Sequence, residues 1–534
     1  MSSPRPPHPA SAATAPFRGR RLRLGIVLSN AEVPGWIGEV VEEARCHPAL
    51  EVGIFAEEPL APELQTARES LLHRIFNRLD KRRAAAHATA KTLTRIDDHL
   101  PLQSHALLND FAPDVIWQID TALPSEALAS IAPYGVWRYR PGSGVREVYE
   151  RVPESAQVLE VVGPNGQSTH ALVAAHVRTH PSSPLINARE LDQAGKRLLL
   201  DGIQRLLSHA WTPHEFFARH SEAPTPFPEP FRPTNLQMVK FAARVLLPSI
   251  IHTRRSSGTV WQWTVGIAPV GPDDSCGRIR ADEARFISPP CGSFLADPFV
   301  WRHDGGWFVF VEEYPFATGK GHISVAQWRE DSDFGPLEPV LIEDVHLSYP
   351  FLFEHEGRLL MMPEQHMSDL WAYECVEFPR RWVKHRRVLE GVSCVDGTLL
   401  QSDGRWWLFY ARVTNQSPDD HLYACHASTP FGPWTQHPLN PIRTGLRGSR
   451  MAGNLFRLPD GRLIRPAQDC TACYGGALVF YEVEVLSPEA YHEREVGAVA
   501  AESLPPPWNE RCHTFNMADN WVVFDACKRI VREQ

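Results

Sequence analysis

Gly404-Arg-Trp-Trp-Leu-Phe-Tyr-Ala411 is a turn residue followed by a run of apolar and aromatic positions, and it is one of five copies. The others are Gly306-Trp-Phe-Val-Phe-Val-Glu-Glu313, Gly357-Arg-Leu-Leu-Met-Met-Pro-Glu364, Gly461-Arg-Leu-Ile-Arg-Pro-Ala-Gln468 and Asn520-Trp-Val-Val-Phe-Asp-Ala-Cys527. Seven to nine residues before each turn stands a second anchor: Asp297, Tyr349, Asp396, Asn454 and His513. Successive anchors lie about 47 to 59 residues apart, the period of four-stranded propeller blades. Each anchor and its turn read as strand, hairpin, strand. A five-bladed all-β propeller over 257–534 follows, with the anchors converging on one central funnel. Trp261–Ile267 alternates as a strand and is placed to close the ring against the last blade.

Working outward, 534 residues exceed one core, so further domains are expected. The composition is globular, 43% apolar and 22% charged. A net charge of −9 gives no electrostatic case for nucleic acid or an anionic membrane. Residues 1–19 are rich in Pro, Ala and Ser and read as a disordered tail. Leu22–Leu28 is too short for a signal-peptide core and reads as a strand. No run of 18 apolar residues exists; Met238–Ile251, with Lys240 and Arg244 inside it, reads as an amphipathic helix. A cytoplasmic protein with no integral membrane segment is expected. Ten cysteines show no framework, and Cys470-x-x-Cys473 has no partner pair at zinc spacing. The 24 histidines form no ligand-spaced cluster, so neither metal nor cofactor is expected.

Residues 20–212 alternate strand and helix: Leu22–Leu28, Trp36–Cys46, Glu51–Phe55, Asp114–Asp120 and Gly135–Tyr139. That order predicts a parallel, Rossmann-like α/β domain. No G-x-G-x-x-G follows the first strand, which leaves dinucleotide binding without support. Residues 213–256 read as a Pro-rich linker (Pro224–Pro233) and a bracing helix, Asn235–His252.

Ser29–Trp36 (S-N-A-E-V-P-G-W), the P-D-V-I strand and Tyr134–Gly142 (Y-G-V-W-R-Y-R-P-G) resemble a formyltransferase N-terminal domain. That family works with an Asn and a His two apart, plus a downstream Asp. Trp137 and Tyr139 occupy the first two places here, so the resemblance implies a catalytically dead relative.

In the repeat region, F-L-A-D-P-F (Phe294–Phe299), H-L-S-Y-P-F (His346–Phe351), V-D-G-T-L (Val395–Leu399), H-P-L-N-P-I (His437–Ile442) and R-P-A-Q-D-C (Arg465–Cys470) resemble the propeller-like domain of plant glucosamine inositolphosphorylceramide transferases. The chain shows no clear D-x-D motif for a metal–nucleotide-sugar. More distantly, the A-D-P segment is similar to five-bladed glycosidases. There a blade-one Asp is base or nucleophile, a mid-propeller Asp holds pKa values and a Glu is the acid. Asp297 and Asp396 match the first two roles. Blade four has Ala452-Gly453-Asn454 where the acid is expected, leaving Glu364 or Glu313 to substitute.

The candidate catalytic residues are therefore Asp297, Glu364 and Asp396. Glu313, Tyr349, Asn454, Arg465, Gln468, Asp469 and His513 are the candidate substrate-binding residues. Tyr349 and Asn454 read equally as packing in the channel, and Arg465 with Gln468 and Asp469 as either a structural ion pair or a sugar clamp. Trp301, Trp307, Trp406 and Trp407 read as inter-blade core. Three functions remain open: a glycosyl-processing enzyme, a glycan or glycolipid head-group binder, and formyl or acyl transfer to an amino sugar. The expected partner is a small molecule: a carbohydrate, a sugar-lipid or a nucleotide sugar. Oligomeric state is not legible.

Overall fold

The structure is a computed structural model, and it describes residues 20–57, 70–86, 93–102, 106–121, 123–140, 144–163, 169–209, 211–219, 231, 233–252, 259–270, 279–330, 333–365, 369–413 and 418–531. The N-terminal tail and most of the Pro-rich stretch lie outside these. The chain divides into two compact units, Met1–Thr253 and Arg254–Gln534.

The first unit is built on a seven-stranded sheet. Its order is Leu100–Pro101, Leu50–Ala56, Leu22–Leu28, Val115–Ile119, Val136–Tyr139, Glu154–Val162 and Thr169–Arg178. The first five run parallel; Glu154–Val162 pairs antiparallel to the fifth and Thr169–Arg178 antiparallel to Glu154–Val162, a hairpin added to the edge. The sheet is therefore mixed where the sequence predicts a parallel one. Apart from Arg23, Leu22–Leu28 is apolar and buried, as expected of a parallel strand covered on both faces. Trp137 is fully buried, stacks on Phe216 and donates to the Tyr134 carbonyl at 3.0 Å. Tyr139 donates its hydroxyl to the Gly195 carbonyl at 2.9 Å. Phe216, in the helix Pro213–Arg219, completes this core, so the unit continues past 212. The expected helix Asn235–His252 forms and packs within this unit on helix Leu71–Ala86.

The second unit is a five-bladed propeller. Blade one holds Ser293–His303, Gly306–Pro315, His322–Trp328 and Glu338–Leu341. Blade two holds Leu347–His355, Arg358–Gln365, Leu370–Glu377 and Arg381–Leu389. Blade three is built on Cys394–Ser402, Arg405–Arg412 and His421–Ala427, and blade four on Arg447–Met451, Leu463–Asp469, Ala477–Leu486 and Tyr491–Ala500. In blade five Phe515–Ala518 pairs with Trp521–Val531, and Thr259–Pro269 joins along its full length from Thr259↔Val531 to Pro269↔Trp521. The early strand, whose alternation marks only a strand, thus closes the ring. Trp307, Trp406 and Trp407 are buried, and Trp301 packs against the same core.

Hairpin chemistry fixes the register. Asp304-Gly305, Glu356-Gly357 and Asp403-Gly404 take positive φ at both positions, the two-residue turn that matches strand twist. The first turn is therefore Asp304-Gly305, with Gly306 already paired to His303. Blade one is offset by one residue from the alignment that starts at Gly306.

Candidate active site at the propeller axis

Three anchors share one backbone device. Asp297, Tyr349 and Asp396 have φ of 51°, 43° and 52°, at register breaks between Ala296 and Phe299, Ser348 and Phe351, and Val395 and Thr398. A bulge re-aims the side chain of the unpaired residue. A non-glycine residue in left-handed backbone is strained, and such strain collects at functional sites.

Each strained amide is held by a carboxylate of the preceding blade. The Asp297 N–H donates to Asp525 Oδ2 at 3.4 Å, the Tyr349 N–H to Asp297 Oδ2 at 3.2 Å, and the Asp396 N–H to Glu364 Oε2 at 3.0 Å. Blade four departs from this pattern: the Asn454 N–H donates forward to Asn516 Oδ1 at 2.6 Å. Gly453, with φ of 132°, lies so close to the Phe515 carbonyl that no Cβ fits. The position where a blade-four acid is expected is thus a packing contact.

Asp297 also accepts from Thr514 Oγ1 at 2.8 Å and lies 3.5 Å from His513 Nε2. The other ring nitrogen of His513 meets Asp525 Oδ2 at 2.5 Å. Burial opposes charging of this imidazole, but Asp525 and Asp297 outweigh it and raise its pKa. One ligand atom from each of Asp297, His513 and Asp525 lies within 4.8 Å of the others, a set that could hold a cation. The sequence shows no such cluster because Asp297 is more than two hundred residues from its partners.

Asp396 is ion-paired with Arg450, accepts from Gln468 Nε2 at 3.2 Å, and shares Arg450 with Asp419. Burial, then the nearby Asp396 charge, pushes the Glu364 carboxyl up to about 8. Asp297 is raised as well, by burial first and by Asp525 and Asp396 against the pull of His513. Tyr349 reaches the neighbouring blade three, its hydroxyl 2.9 Å from Thr398 Oγ1.

The structure gathers Asp297, Glu364, Asp396, Tyr349, Gln468 and His513 on one network and turns three expected residues away from it. Glu313 accepts from Ser324 at 2.7 Å and pairs with His322, toward the blade's own strands. Its neighbour Glu312 is the buried residue that aligns with Glu364, and burial with Asp297 and Glu364 nearby drives its carboxyl well up. A one-residue offset exchanges the two faces of a strand, and the Asp304-Gly305 turn was the signal that resolves it. Arg465 is fully buried in a bidentate pair with Glu493 at 2.7 and 2.8 Å. Asp469 pairs with Arg447 instead of Arg465. Both point to the face of the strand opposite Gln468, as alternation requires. Asn454 keeps a side-chain Oδ1 without a hydrogen-bond partner.

Sequence reasoning missed Glu312, Asp525, Arg450, Asp419 and Thr514. Asp525 had a signal, a lone acid inside the apolar run Val522-Val-Phe-Asp-Ala-Cys527. Arg450 and Asp419 had none, since their pairing depends on tertiary placement.

Residues 279–519 match the family described as Glucosamine inositolphosphorylceramide transferase 1, N-terminal, a stretch wholly inside the second unit. The Glucosamine inositolphosphorylceramide transferase 1 of Oryza sativa subsp. japonica is 34% identical over 225 residues, covering 41% of this chain and 30% of that protein. Its Arabidopsis thaliana counterpart is 36% identical over 210 residues, covering 38% and 27%. The chain thus spans under a third of the length of these relatives. Among solved structures, the catalytic domain of a Coprinopsis cinerea GH62 alpha-L-arabinofuranosidase is 13% identical with a TM-score of 0.34, covering 51% of this chain and 98% of that one. An exo-beta-1,3-galactanase from Clostridium thermocellum is 11% identical with a TM-score of 0.32, covering 38% and 49%. Likenesses this slight do not bear on the site.

Proposed function

We propose that the axial site binds a glycosyl unit and processes it by hydrolysis or transfer, with Glu364 as proton donor and Asp297 as base or nucleophile. The observation that carries this is the buried carboxyl cluster around Glu364: its Oε2 accepts the Asp396 N–H at 3.0 Å, beside the Asp396–Arg450 ion pair. Burial and the Asp396 charge push the Glu364 carboxyl up to about 8, the direction a general acid at a glycosidic bond needs. Asp396, tied to Arg450, sets the charge that keeps the proton on Glu364. Tyr349, Gln468, Asn454 and His513 shape the floor.

A second reading has its own support. Both Asp297 oxygens are occupied, by the Tyr349 amide on one and by Thr514 and His513 on the other. A carboxylate so engaged suits a binding or scaffolding ring as well as a reacting one. A panel of glycosides and nucleotide sugars, with binding and turnover read separately, distinguishes the two. Catalysis predicts turnover that Asp297→Asn and Glu364→Gln abolish while affinity stays. Affinity without turnover in the unsubstituted protein assigns the funnel to glycan or head-group binding.

For the first unit we propose a Rossmann-like, formyltransferase-like fold without transferase activity, because Trp137 and Tyr139 are packing groups where that chemistry needs Asn and His. Formyl transfer from a folate donor by the full chain, lost on Tyr139→Phe, would overturn this. A cytoplasmic location belongs to the same proposal, supported by the free thiols of Cys46, Cys291 and Cys375 among the described residues.

A further inference from the structure

Helix Leu71–Ala86 has two apolar sides, and among the described residues only one has a partner. Leu72 and Phe76 pack with Met238 and Phe241 of helix Asn235–His252, with the Phe76 and Phe241 rings 5.3 Å apart. The Leu72 N–H also donates to Asn235 Oδ1 at 3.2 Å, so the two helices form one surface of the first unit. Leu71, Ile75 and Leu79, spaced four apart on the first helix, and Leu236 and Val239 on the second are all 48 to 65% exposed. Single exposed aliphatics need no explanation, but five on two helices packed together, at helical spacing, do.

Cations accompany them. Arg74, Arg78, Lys81 and Arg82 are exposed on the first helix, and Lys240 and Arg244 on the second. None of the six is in an ion pair among the described residues. The sole acid of the two helices, Asp80, is buried and accepts the Leu185 N–H at 3.1 Å. The whole-chain charge of −9 averages this basic face away. A nucleic acid would use the arginines but has no use for five exposed aliphatics. Apolar side chains flanked by unpaired Lys and Arg are what a helix lying in a bilayer interface presents. No described helix is long and apolar enough to cross a membrane.

We propose that this two-helix face docks the first unit onto an anionic lipid bilayer surface, with the aliphatic stripe at headgroup depth and the cations against lipid phosphates and carboxylates. The test is flotation of the full chain with vesicles of phosphatidylcholine alone or with about one third phosphatidylserine. Co-flotation with the anionic vesicles only, released by about 0.5 M salt, is the expected result. Arg74→Glu with Arg78→Glu should lower partitioning more than about tenfold, at about fivefold per cation removed. Leu71→Ser, Ile75→Ser and Leu79→Ser together should lower it comparably, with circular dichroism unchanged. No flotation at low salt, equal flotation with neutral vesicles, indifference to both variants, or binding of duplex DNA in place of vesicles would each overturn the proposal.

Discussion

The propeller clusters charge in two places, and the two are built differently. At blade four, Arg447 and Arg465, with Arg443 from a strand paired to blade three, meet Asp469, Glu493 and Glu495, three cations to three anions. Burial opposes the charged form of Glu493, but Arg465 outweighs it and lowers the pKa. At the axis, Asp297, Glu364, Asp396, Asp419 and Asp525 share one guanidinium, Arg450, and one imidazole, His513. There the carboxyls of Asp297, Glu312 and Glu364 are raised. A balanced network can be a wall of the fold; an acid-rich one favours protonated carboxyls and marks a candidate site. The difference separates Arg465 and Asp469 from Glu364 and Asp297, which the sequence offered side by side.

The contrast breaks most visibly through activity. Asp297→Asn should lower turnover of the glycosyl substrate by about 10²–10⁴-fold, as removal of a general base does, with affinity retained. Replacing the blade-four pair as a unit, Arg465→Met with Glu493→Leu, should leave kcat within about twofold and stability near neutral, since apolar replacement of a buried pair is often tolerated. Equal losses from both variants would erase the distinction.

Stability gives the next largest effect. Asp525→Ala removes the acceptor of the His513, Thr514 and Asp297 amides and strands a buried imidazole. Its cost should be about 3–5 kcal/mol by denaturant unfolding.

A smaller effect is a pH dependence whose sign is fixed. Folded Glu364 keeps its proton to about 8, against an ordinary value of 4.5. The folded state is therefore favoured in full below pH 4.5, and loses that advantage as pH rises toward 8. Glu312→Gln removes a second raised carboxyl and should lessen the alkaline loss, whereas Glu313→Gln should leave it unchanged. Unfolding midpoints at pH 6 and pH 9 compare the two. An identical response of both would mean that the face assignment in blade one is wrong.

What the sequence carried and what it lost follow the same physics. Five strand-turn-strand copies, the closing strand at 261–267 and the anchors Asp297, Tyr349 and Asp396 were legible because alternation and turn chemistry are local. The hairpin edge of the first sheet was not, since the apolar positions of Glu154–Val162 mark a strand but not the direction in which it pairs. Glu312 was lost to one residue of register, and Arg450 to pairing across 54 positions with Asp396. Arg465 and Asp469 sat four apart and looked like partners, but a strand puts both on one face and leaves each free to choose a neighbouring strand.

The most direct measurement is a carbon-13 titration of the glutamate side-chain carboxyls, in the unsubstituted protein and in Glu364→Gln. A carboxyl that titrates near pH 8 and vanishes in Glu364→Gln is the predicted result. A Glu364 signal that titrates near 4.5 would contradict the account, leaving the axial ring, like blade four, a structural clasp.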